Sequence, residues 1–118
     1  MGFRESLEEV CGVEGAVAAS VMGFDGIAVD TVTPAKTDVD LEALLVEYAG
    51  ILGQVQQAAE VLQTGKVSEL SIGTDRITTL LRPINPEYFL LLALRPEGNF
   101  GKGRYLLRVT APRLQNEF

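Results

Sequence analysis

A single α/β domain of the α+β kind, ordered helix, two strands, long helix, three strands, helix, is predicted by three features of this sequence. Asp25-Gly26 stands between two runs of alternating residues, which marks a tight hairpin. The stretch Leu41 to Thr64 repeats its apolar residues with the period of a helix. Tyr88 to Leu94 is apolar throughout, as in a strand covered on both sides.

The elements follow in order. Phe3, Leu7, Val10 and Cys11 form one stripe of a short helix, with Arg4, Glu5, Glu8 and Glu9 outside it, and Gly12 is placed to end it. Gly15 to Met22 is small and apolar on both faces, so a central strand is expected there. Ile27 to Val32 returns from the hairpin, and Asp30 argues that this strand is an edge. Thr33 to Asp38 reads as loop. Asp38 or Asp40 can cap the long helix, with Glu42 at the positive end of its dipole, and Gly65 is expected to stop it. Lys66 to Gly73 and Arg76 to Ile84 are the next two strands, with turns at Thr74-Asp75 and Asn85-Pro86-Glu87. Arg95 to Gly103 should be a glycine-rich loop. A final helix then runs from Phe100 or Gly103 to Asn116, with Pro112 expected to kink it or start a new turn. All strand connections but the one through the long helix are short, so the sheet is mostly antiparallel.

Composition narrows the function. One domain of 118 residues can bury a real core without disulfide or metal. Ten Lys and Arg stand against 16 Asp and Glu, a net charge of -6, and no basic run is present, which argues against nucleic acid. Cys11 is the only cysteine and there is no histidine, so no internal disulfide or thiolate zinc site is expected. The start of the chain has no apolar core of a secretory signal, and no run is long enough to span a bilayer. A cytoplasmic location without membrane insertion is expected.

No catalytic constellation emerges. Gly98-Asn-Phe-Gly-Lys-Gly103 lacks the spacing of a phosphate-binding loop, because Gly103 and then Arg104 follow Lys102, with no Ser or Thr after the lysine. Asp25, Asp30, Asp38, Asp40 and Glu42 are the carboxylates that could pair, but hairpin turns and helix caps account for those positions. The chain is therefore read as not an enzyme, with no catalytic residue, cofactor or metal.

The long helix is the informative segment. Leu41, Leu44, Leu45, Tyr48, Leu52, Val55, Ala59 and Leu62 make one apolar stripe, the face expected on the sheet. The opposite side carries Ala43, Val46, Gly50, Gly53, Gln57 and Val61. Two glycines within a helix cost about 1 kcal/mol each relative to alanine. A face with no contact has no reason to keep them. Small outward residues let another helix approach closely, and the chain has no second helix of that length to spare. The same helix of a second copy, brought by a two-fold axis, is the expected partner.

The hairpin Met22-Gly-Phe-Asp-Gly-Ile-Ala-Val29, the helix opening Val39-Asp-Leu-Glu-Ala-Leu44 and the closing Asn99-Phe-Gly-Lys-Gly-Arg-Tyr-Leu-Leu-Arg108 together resemble the roadblock family, the dynein light chain type that also includes a bacterial gliding protein. The resemblance spans nearly the whole chain. It implies a five-stranded antiparallel sheet, with the long helix on one face and the terminal helices on the other. It also implies a homodimer in which the long helices lie side by side and the Lys66 to Gly73 edge strands pair, adding Ser68, Leu70 and Ile72 to the interface. Such dimers are expected to bind and regulate a small Ras-like GTPase or to act as scaffolds, in a bacterial or archaeal polarity, motility or signalling system. Glu47, Gln54 and Glu60, beside the helix ridge, are the expected partner contacts. The alternative is a small-ligand sensory domain of the profilin-like or PAS-like kind, which shares the layout of a sheet with helices.

Overall fold

Successive side chains of a strand point to opposite faces, and here each face is apolar, so one sheet carries two cores. The computed structural model describes residues 2–118. Its elements are α1 (Phe3–Val10), β1 (Ala16–Gly23), β2 (Ala28–Val32), α2 (Leu41–Leu62), β3 (Leu70–Gly73), β4 (Thr78–Pro83), β5 (Tyr88–Leu94) and α3 (Phe100–Gln115). The five strands are ordered β2-β1-β5-β4-β3, and every pairing is antiparallel. The element order and the five-stranded antiparallel sheet are those expected. β5 lies at the centre and β2 at an edge, as their residue patterns predict.

On one face Leu7 and Val10 of α1 and Leu107 and Leu114 of α3 pack on Ala19, Val21, Leu80, Leu90, Leu92 and Leu94. On the other, Leu44, Leu45, Ala49 and Leu52 of α2 pack on Val17, Met22, Leu81, Phe89, Leu91 and Ala93. The polar group inside β1 is satisfied: the Ser20 hydroxyl lies 3.1 Å from the Asp30 carbonyl and 2.9 Å from Thr31 Oγ1.

The structure departs from the sequence reading at several element ends. The strand expected over Lys66 to Gly73 begins only at Leu70. In the observed register Leu70 faces Leu81, so Ser68 would face Pro83, which has no N–H to extend the ladder. The long helix ends two residues before the expected Thr64. Gln63 takes the left-handed conformation (φ 56°), and its N–H and that of Thr64 bond back to the carbonyls of Glu60 and Ala59. Gly65, the expected stop, has φ 102° but lies beyond the Gln63 cap. Pro112 lies inside α3, which runs on to Gln115.

Candidate interaction surface

The helix α2 is fixed at its start by two carboxylates. Asp40 caps it, its side chain accepting a hydrogen bond of 3.1 Å from the Ala43 N–H. Asp38 pairs instead with Arg76 at 2.6 Å, which ties the preceding loop to the start of β4. The Arg76 hydrogen bond and charge hold the Asp38 carboxyl below its ordinary range. The other end has no such tie. A helix of 22 residues is about 33 Å long, against about 20–25 Å for the strands under it, so its last turns overhang the sheet.

That overhang corrects the inner stripe. Leu44, Leu45 and Leu52 are buried as expected, but Leu62 is 70% exposed, because the sheet no longer lies beneath it. Ala49, absent from the expected stripe, is buried between Leu45 and Leu52. Beneath the overhang opens a groove of about 840 Å³, lined by Gln56, Ala59 and Glu60 on α2 and by Val67, Pro83 and Ile84 across from them.

The outward face stands bare. Ala43, Val46, Gly50, Gln57 and Val61 are exposed, and Gly53 is half-buried at its flank. A Cβ built at Gly50 or at Gly53 would meet nothing within 4 Å, so neither glycine is required by the packing of this chain. Val46 is 52% and Val61 82% exposed, and Ile51, which the sequence reading did not single out, joins them at 39%. The signal that could have found Ile51 is its place one turn above Glu47 on the flank of the stripe. The only charged residues of α2 are the acids Glu42, Glu47 and Glu60.

The residues expected to meet a partner do not form one patch. At about 100° per residue Glu47 and Gln54 share one flank of α2. Glu60 lies on the other flank and lines the groove. On β3, Leu70 and Ile72 are half-buried at the margin of the α2-side core, while Ser68 is exposed ahead of the strand. β3 has a hydrogen-bonded neighbour on one side only, so its outer edge is open.

The remaining carboxylates and the glycine-rich segment serve the fold. Asp25 accepts from the Ile27 N–H at 3.0 Å, closing the hairpin turn, and Asp30 pairs with Arg4 of α1 at 2.8 Å. Among the described residues no three Cys, Asp or Glu come together as a metal site. In the 98–103 segment Asn99 caps α3 by accepting from the Lys102 N–H at 3.1 Å. Gly103 is buried where α3 comes down on Leu80, Leu92 and Leu94.

No protein-family model matches the chain, and no curated protein matches it either. Solved structures do. The chain is 53% identical to MglC from Myxococcus xanthus, covering 100% of each chain with a TM-score of 0.73. It is 20% identical to the gliding protein MglB from Thermus thermophilus, over 97% of this chain and 86% of that one, with a TM-score of 0.85. A Roadblock/LC7 domain from Streptomyces avermitilis matches at 10% identity over 98% and 97% of the two chains, with a TM-score of 0.83. At those two lower identities the likeness is one of fold.

Proposed function

Because the chain belongs to the roadblock family, with MglC among its relatives, we propose that it works in the cytoplasm as a homodimeric adaptor without catalytic activity of its own. The observation that carries this reading is the outward face of α2. A 22-residue helix with bare glycines at Gly50 and Gly53 and exposed Val46, Ile51 and Val61 leaves apolar surface to water that a second copy would cover. The open edge of β3, with Leu70 and Ile72 at its margin, lies at the end of the chain segment that leaves α2. The two surfaces can therefore join one two-fold interface.

The partner class that the likeness suggests is a small Ras-like GTPase. Glu47 and Gln54 flank the α2 ridge, and a dimer would present them twice on the same side as the paired helices. In this proposal the protein supplies a docking surface and its partner supplies the chemistry.

Gly53→Arg tests the self-association. It places a long cation where the second helix would press, and light scattering should show monomers that keep the wild-type circular dichroism. A folded variant that stays dimeric would remove the helix-to-helix contact. Glu47→Lys tests the partner surface: it should leave the dimer intact and abolish capture of a Ras-like GTPase from native lysate.

The small-ligand alternative has one observation in its favour, the groove under the end of α2. It is open at the surface rather than enclosed between sheet and helix. A metabolite that raised the Tm independently of protein concentration would support it over the adaptor reading.

A further inference from the structure

The outward face of α3 has a character unlike the rest of the molecule. The helix carries Lys102, Arg104, Arg108 and Arg113 and no acid, four of the ten cations in a chain of net charge -6. Two of them are neutralised from the flanks: Arg104 meets Glu69 at 2.6 Å, and Arg113 meets Glu9 of α1 at 3.6 Å. Lys102 and Arg108 remain on the crest, and among the described residues no carboxylate pairs with either. Between them Tyr105 is 52% exposed, with the Arg108 guanidinium 5.5 Å from its ring centroid. Phe100, 41% exposed, stands at the start of the same helix.

Solvent alone does not favour this arrangement. Arg104 and Arg108 are spaced i, i+4, where like charges repel, and an acid at either position would stabilise the helix instead. An aromatic ring between cations is a surface for binding carboxylates, since the cations attract the charge while the ring gives apolar contact.

We propose that the crest Lys102–Tyr105–Arg108 of α3 is a docking surface for a short acidic segment of a partner protein. The charge pattern selects the class. The cationic stripe is one helix wide, with Glu9 and Glu69 on its two sides. A flat anionic bilayer or a nucleic acid would bring those acids, and the net negative charge behind them, within a Debye length of about 8 Å. A narrow peptide chain can lie along the crest and avoid them. This surface is on the opposite face of the sheet from α2, so the proposal goes beyond the self-association reading and does not depend on it.

The test uses the full chain and a fluorescent peptide of alternating glutamate and tryptophan, followed by anisotropy. Wild type should bind it saturably and more weakly as salt rises, and the glutamine version of the peptide should not bind. Lys102→Glu with Arg108→Glu should weaken binding about tenfold or more, the size expected for reversing two exposed charges. Lys36→Glu with Lys66→Glu changes the net charge equally and should leave binding unchanged. Light scattering on the same samples reports the dimer separately. Equal binding by the α3 variant, an equal loss in the control variant, or no saturable binding by wild type would overturn the proposal. So would tighter binding to phosphatidylserine vesicles than to the peptide, which would assign the crest to a membrane surface.

Discussion

A Cβ built on Gly15 would lie 2.5 Å from the Cα of Gly98, so the approach to β1 and the approach to α3 touch backbone to backbone. Two hydrogen bonds hold them there: the Arg95 N–H donates to the Gly15 carbonyl at 2.8 Å, and the Asn99 N–H donates to the Glu14 carbonyl at 2.9 Å. Asn99 in turn caps α3. The close pair thus sets where the terminal helix begins and how it descends on the sheet.

Gly15→Ala should therefore be among the most damaging single changes outside the apolar cores. Gly15 has φ 88°, which an L residue rarely adopts, and the added methyl would meet backbone that cannot rotate away. Strain and overlap together should lower stability by about 2–4 kcal/mol. Urea unfolding would show it as a lower midpoint at unchanged slope. A loss below about 0.5 kcal/mol would mean that the two segments can separate without harm.

Gly50→Ala should act with opposite signs on two measurements. In the separated chain the methyl meets nothing within 4 Å, so helix propensity should raise stability by up to about 1 kcal/mol. Across a close helix-to-helix contact the same methyl holds the two backbones apart. Thermal melts at high dilution should rise while sedimentation shows weaker self-association. If both rise together, the outward face is not pressed against a second helix.

How far the sequence reaches can be judged residue by residue. The hairpin at Asp25-Gly26 was legible because the turn chemistry is local. The central place of β5 was legible because no polar residue interrupts Tyr88 to Leu94. The short β3 was not, since Lys66 to Glu69 holds no Gly or Pro to stop a strand and only the register against β4 places Pro83 opposite Ser68. Leu62 failed for a similar reason. Periodicity gives the direction in which a side chain points but not how far the sheet extends beneath it. The crest of α3 lay in plain view as spaced cations, yet only the pairing of Arg104 and Arg113 to flanking acids isolates Lys102 and Arg108. For the outward face of α2 the sequence supplies the small residues, and the structure adds that the rest of the chain leaves them uncovered.

Asp40→Ala should lower stability by about 1 kcal/mol through loss of the α2 cap. The carboxylate satisfies the Ala43 N–H, which would otherwise be left without a partner at the first turn, and its charge favours the positive end of the helix dipole. Asp40→Asn should recover most of the loss, since the amide oxygen can accept the same bond. The comparison is read from urea midpoints at low salt. Equal losses for alanine and asparagine would mean that charge rather than the hydrogen bond supplies the stability.

Cys11 should behave as a poor nucleophile until strongly alkaline pH. Burial, and to a smaller extent the nearby Glu8 charge, push its thiol from 9.0 up to about 11. Its sulfur lies 3.8 Å from the Val32 carbonyl, at the junction of α1's end with β2. A pKa raised in the folded state means that folding favours the protonated thiol. The linked stability is therefore whole below about pH 9 and is lost as pH climbs towards 11. Iodoacetamide alkylation of the native protein should be slow at pH 8 and reach half its limiting rate near pH 11, whereas the urea-unfolded chain should do so near pH 9. Over the same interval wild type should lose stability relative to Cys11→Ala. A native half-point near 9, with parallel stability curves, would place the thiol in open water and detach it from the packing of α1 against β2.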